Sequence, residues 1–226
     1  NVVAPNRNIQ LNVLGLKDVY KLHDHVQFIN VLDKKAQGNL TPAAILALLK
    51  SGNERFLSRD LREKYYHHQV NATSSIQNPM AVIVSCIDSR ATPEIIFDAG
   101  IGDLLIVRIA GNVCSNVVIG SIELAVMEIG AKLIVVLGHS NCGAVQATIK
   151  GSGVGNIALI TSKIDNAIEY YRSRNIVIDP HNTKLMKEIT CRNADNSLME
   201  IMDASPYLAE KAYTNEIGFV SAYYDT

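Results

Sequence analysis

A chain of 226 residues that is 48% hydrophobic and 19% charged, with a formal net charge of −1, is long enough to bury a substantial core and reads as one large domain behind an appendage. The near-neutral balance gives no reason to expect a nucleic-acid partner, and no apolar run approaches the roughly 20 residues needed to span a bilayer. Four cysteines, Cys86, Cys114, Cys142 and Cys191, are too few and too dispersed for a disulfide scaffold, so reduced thiols or metal ligands in a cytoplasmic protein are expected.

Residues 1–40 show no clean hydrophobic period and are expected to be an N-terminal arm or the remnant of an upstream region, since the chain opens at Asn1 rather than at a methionine. At "LTPAAILALLKSGNERF" the pattern sharpens. Thr41 is placed to cap a helix, Pro42 fits its first position, Ile45, Leu48 and Leu49 form an apolar face, and Gly52 is expected to stop it.

From Met80 the text alternates. "MAVIVSCI" reads as a buried strand, Thr92 and Pro93 open a short helix through Phe97, and "DLLIVRIAG" reads as a second strand. A helix ending at Gly130, a strand over "AKLIVVLGH" and a helix from Gly143 to Ile149 follow. Beyond Gly155, helical stretches are expected near 156–174, 183–191 and 197–212, and "IGFVSAYY" as an added edge strand. The fold class is therefore α/β, a central mostly parallel sheet of about four strands plus that edge strand, flanked by helices.

Open parallel sheets bind ligands at the carboxyl ends of their strands. Two such ends carry chemistry: "CIDSR" at 86–90 and "GHSNCGA" at 138–144. Alone, Cys86 reads as a small buried hydrophobe and His139 as a turn histidine. Together, Cys86, His139 and Cys142 offer two sulfurs and one nitrogen, a soft tetrahedral set that suits zinc and leaves one position open, as catalytic sites do. Asp88 and Arg90 make little sense as a surface ion pair, worth roughly 0–1 kcal/mol. Beside a metal, the carboxylate either takes the fourth position or accepts a hydrogen bond from bound water, and the guanidinium holds it away.

These residues resemble the β-class carbonic anhydrases, which carry C-x-D-x-R after one strand and H-x-x-C after a later one. "GNERF", "RIAGN" and "GSIELAV" resemble that family as well, and the likeness covers residues 41–226, the expected catalytic domain. It implies Zn2+ on Cys86, His139 and Cys142, with Asp88 as a fourth ligand in a closed form. In the open form a zinc-bound hydroxide would attack carbon dioxide to give bicarbonate and a proton, with the Asp88 and Arg90 dyad positioning it. Gln77 and the backbone amide of Gly143 would contact substrate, and Leu105 and Leu124 would line the pocket across a subunit interface, in a dimer or a dimer of dimers. "KLHDHVQFINVLDKK" resembles a segment of proteins in which a bicarbonate or sulfate transporter precedes such an enzyme. Two alternatives stay open: a hydrolase of carbon disulfide or related molecules on the same scaffold, and a zinc-bearing module without turnover.

Overall fold

Period-two alternation decides which side of the sheet each strand residue serves, and here both sides are apolar. A computed structural model of the chain describes residues 31–226, and among them four strands form one sheet. They are β1 (Ala81–Ser85), β2 (Leu104–Arg108), β3 (Leu133–His139) and β4 (Gly218–Tyr224), in the order β2-β1-β3-β4. Every pairing is parallel. The expected edge strand is thus the fourth strand itself rather than an addition to four others.

All residues of β1 and β3 are buried, as a sheet covered on both faces requires. Val82, Val84, Ile134 and Val136 face one cluster, under α5 (Asn116–Leu124), which continues as a π-helical turn over Ala125–Ile129, and under α8 (Thr183–Ala204) and α9 (Pro206–Tyr213). Ala81, Ile83, Leu133, Val135 and Leu137 face the other, against α1 (Lys34–Asn39), α2 (Pro42–Ser58) and α4 (Pro93–Ile96). The remaining helices are α3 (Tyr66–Thr73), α6 (Gly143–Ile149) and α7 (Ile157–Arg172).

Two further expectations change. Gly52 does not stop α2, which runs on to Ser58 and ends on Arg59 in the left-handed region. The glycine is there for close approach, because a Cβ at position 52 would lie 1.8 Å from the Phe97 carbonyl oxygen. The stretches expected at 183–191 and 197–212 are a 22-residue α8 followed by a separate α9. Asn193, Ala194 and Ser197 are buried inside α8, so its polar "RNADNS" run packs rather than breaks the helix.

The expected arm lies outside the described residues up to residue 30. Within 31–40, α1 is tied to the domain. The Gln37 side-chain amide donates to the carbonyls of Pro79 and Ile129, and the Lys132 ammonium donates to those of Gly38 and Leu40.

The topology also fixes where a site belongs. The chain leaves β1 for β2 on one side, then crosses to β3 on the other, so the connections diverge above the carboxyl ends of β1 and β3. Such a divergence opens a crevice in parallel sheets, and Cys86 and His139 sit at those two strand ends.

Candidate metal centre

Register brings the two motifs level, since Ser85 pairs with Leu137 across β1 and β3. Cys86 follows Ser85 directly, His139 closes β3, and Cys142 leads into α6. The ligand atoms of Cys86, His139 and Cys142 all lie within 4.8 Å of one another and all three residues are buried. The two sulfurs are 3.9 Å apart. Two thiolates bound tetrahedrally to one zinc at about 2.3 Å would stand about 3.8 Å apart, so the spacing fits that ion.

His139 supplies the strongest test of fit. Its Nδ1 lies 2.8 Å from the Ser140 carbonyl oxygen, a partner that needs an N–H at that nitrogen, and its buried Nε2 has no hydrogen-bond partner. A ring fixed this way presents the Nε2 lone pair, the usual state of a metal-bound histidine. Leaving a fully buried acceptor unmatched costs about 1–3 kcal/mol, which a cation beside the sulfurs would offset.

The sulfurs are electrostatically unlike. The Cys142 thiol, with the His139 ring and backbone N–H groups of Asp88 and Gly111, holds Cys86 below the usual thiol range against the opposing effect of burial. Cys142 is pushed up by the neighbouring Cys86 sulfur and by burial. The Gly111 N–H donates to Cys86 Sγ at 3.4 Å. Gly111 has φ 67°, a left-handed conformation that favours glycine, and a Cβ there would also come within 2.6 Å of Ile164 Cδ1. A third apolar cluster, including Val113, Val145, Ile164, Ile168 and Ile189, packs around the two cysteines.

Asp88 stands outside the ligand cluster. Arg90 grips its carboxylate in a fork, Nε to Oδ1 at 3.0 Å and Nη2 to Oδ2 at 2.9 Å, and the Arg90 backbone N–H adds a third bond at 3.0 Å. These bonds hold the carboxyl below the usual carboxylate range. Arg90 Nη2 also lies 3.5 Å from the Asn141 carbonyl, which links the first motif to the second. Asn141 takes φ 54° between His139 and Cys142.

The other expected site residues fall as follows. Gly143 is the first residue of α6, and a Cβ there would meet nothing within 4 Å. Leu105 is half-buried in β2 and packs on the first core cluster. Leu124 ends α5 and is 54% exposed. Gln77 is exposed in the segment leading to β1, and no hydrogen bond among the described residues ties it to the cluster.

Sequence reasoning passed over two contributors. Arg108, at the end of β2, donates from Nε to the Cys86 carbonyl and from Nη2 to the Asp88 carbonyl. The end of the sheet closes on the second motif too: His139 pairs with Tyr224 in β4, the Ser140 N–H donates to the Tyr224 carbonyl, and the Thr226 N–H donates to Ser140 Oγ. The "RIAGN" segment pointed towards Arg108 and Gly111, but no spacing rule foretells a bond from a strand residue to a neighbouring turn.

With this geometry in view, comparison with known proteins is direct. The family model described as carbonic anhydrase matches residues 81–226. Over 122 residues the chain is 44% identical to carbonic anhydrase 2 of Mycobacterium tuberculosis, covering 53% of this chain and 58% of that protein. Over 120 residues it is 43% identical to a carbonic anhydrase of Mycolicibacterium smegmatis, with the same coverage. The chain thus spans a little over half the length of these curated relatives. In fold it is similar to a Coccomyxa β-carbonic anhydrase solved with acetazolamide, at TM-score 0.61 and 20% identity over 80% of each chain. It is likewise similar to one of two tetrameric β-carbonic anhydrases of Sordaria macrospora, at TM-score 0.61 and 19% identity over 80% of this chain and 92% of that one.

Proposed function

Because the chain belongs to the β-class carbonic anhydrases, we propose that it catalyses the reversible hydration of carbon dioxide to bicarbonate and a proton, with zinc held by Cys86, His139 and Cys142. The observation that carries this reading is the buried, unpartnered Nε2 of His139 facing two sulfurs 3.9 Å apart. Zinc, when bound, supplies Lewis acidity that brings the ionisation of water close to neutral pH.

The protein's own groups supply the rest. Asp88, ionised and oriented by the Arg90 fork, accepts a hydrogen bond from the attacking water and so fixes the direction of its lone pair. Arg90 keeps the carboxylate from taking a ligand position, and loss of that grip would let Asp88 become the fourth ligand. The Gly143 N–H at the start of α6 faces developing negative charge on the substrate oxygen, helped by the partial positive charge of a helix N-terminus. Leu105 and Leu124 offer apolar surface to a non-polar gas, and Gln77 offers an amide to bicarbonate.

Residues 41–226 form the catalytic domain in this reading, with α1 bonded to it, and the residues before it belong to an arm or to the remnant of an upstream region. A homo-oligomer, a dimer or a dimer of dimers, would cover Val117, Leu124 and Met127, which are 81%, 54% and 46% exposed on α5 and its π-helical continuation. No helix among the described residues is long and apolar enough to cross a membrane, and four free cysteines suit the cytoplasm.

The test is zinc content and carbon dioxide hydration in the purified protein and in Cys86→Ser and His139→Ala. The parent is expected to hold one zinc per chain and to hydrate carbon dioxide, and both variants to lose zinc and activity together. A parent that binds zinc but does not turn over carbon dioxide would sink the proposal.

A further inference from the structure

We propose that Arg108 is a positioning residue that fixes the turn carrying both Cys86 and Asp88, acting through the backbone from the neighbouring strand. The inference rests on the zinc-site reading above and extends it to a residue outside both motifs.

The turn over residues 86–88 is held at one end by the buried Cys86 with the Gly111 N–H on its sulfur, and at the other by the Arg90 and Ala91 bonds to Asp88, but not between them. Its middle residue, Ile87, is 62% exposed, so burial does not anchor it, and the β1 ladder ends at Ser85. Arg108 lies opposite Ser85 in register, and its guanidinium spans the turn. Nε donates to the Cys86 carbonyl at 3.1 Å and Nη2 to the Asp88 carbonyl at 2.5 Å. The Ala91 N–H also donates to the Asp88 carbonyl, but among the described residues Arg108 alone bridges the carbonyls on both sides of Ile87.

The consequence falls on Asp88. Its carboxylate is oriented by Arg90 and its carbonyl by Arg108, so the residue is gripped at both ends by guanidiniums from different elements. Hydrogen bonds with a charged donor are about twice as strong as neutral ones, and two from one planar group fix the angle between the carbonyls as well as their distance. A lysine would keep the charge but not that fork. Without Arg108, the Asp88 carbonyl keeps only the Ala91 N–H of these two donors and is held more loosely, and the Arg90 pair moves with it.

The experiment compares Arg108→Ala and Arg108→Lys with the parent in two arms. In the metal-free proteins, amide hydrogen exchange over residues 86–91 is expected to rise at least tenfold in Arg108→Ala, with residues 81–85 of β1 unchanged. In the zinc-loaded proteins, Arg108→Ala is expected to lower kcat for carbon dioxide hydration at least fivefold, yet less than twofold when Asp88 is already Asn. Zinc retention against a chromogenic chelator is measured alongside, so that a lost metal is not mistaken for a misplaced carboxylate. Arg108→Lys is expected to recover only part of the loss. Unchanged exchange at 86–91, an equal kcat loss in both Asp88 backgrounds, or full recovery by lysine would each overturn the proposal. Should the parent hold no zinc, the function proposed above fails on its own terms and the exchange arm still decides whether Arg108 fixes the turn.

Discussion

The side-chain amide of Asn193, in the middle of α8, donates to the carbonyl of Gly111 at 2.8 Å across 82 positions of sequence. Gly111 is also the residue whose N–H reaches Cys86 Sγ. A helix far along the chain therefore steadies the residue whose amide faces the candidate metal site, through the peptide on its other side. Asn193→Ala leaves the buried Gly111 carbonyl without this partner, a change that costs about 1–3 kcal/mol. The expected result is a lower melting temperature together with faster zinc loss to a chelator. A lower melting temperature with unchanged zinc release would show that the bond serves stability alone.

Asp88→Asn separates metal binding from turnover. Asn keeps the size of the side chain and its backbone contacts but removes the charge that pairs with Arg90. Zinc content should match the parent, while carbon dioxide hydration should fall about a hundredfold or more, within the range that loss of a positioned acid–base group produces. Stopped-flow measurement with a pH indicator reads the rate.

Gly52→Ala tests the close contact between α2 and α4. The added methyl would lie 1.8 Å from the Phe97 carbonyl oxygen, and backbone on both sides leaves no flexible chain end to move. Overpacking of this severity should cost about 3 kcal/mol or more, which for a domain of this size lowers the melting temperature by roughly 6–12 °C. Calorimetry would show it, and a shift under 2 °C would mean that the two helices separate easily.

Acid should weaken the protein through Asp98. Its side chain is fully buried, and burial alone would raise its carboxyl, but the Lys64 and Arg55 bonds outweigh that and hold it below the usual range. A carboxylate lowered in the folded state contributes stability above its unfolded value near pH 4, and that contribution is lost as pH falls through the folded value. Denaturant midpoints should therefore drop on acidification from about pH 4 downwards. Asp98→Asn should lower stability at pH 7 and flatten this acid limb.

The elements with a clean apolar period were legible residue by residue. The helix expected from Gly143 to Ile149 has those bounds, and β3 ends on His139 as the motif required. The clustering of Cys86, His139 and Cys142 was legible because each closes a strand or opens a helix, where direction follows from chain geometry. Helix α3 was missed because "YHHQVNAT" is polar and largely exposed, its one buried residue being Gln69. The continuity of α8 was missed because Asn193, Ala194 and Ser197 are held by tertiary packing that local propensity does not register. Arg108 escaped notice for a related cause: its partners are carbonyls, and carbonyls have no sequence.

The pairing of His139 with Tyr224, and of Ser140 with Tyr224 and Thr226, bears on the order of assembly during synthesis. Cys86, His139 and Cys142 all leave the ribosome well before residues 218–224. Until those residues arrive, β3 has an open outer edge, and the loop between His139 and Cys142 lacks the strand against which it is seated. A nascent chain holding every ligand is therefore still without a finished site. On the zinc reading proposed above, metal taken up at that stage would bind a loop of unfixed shape.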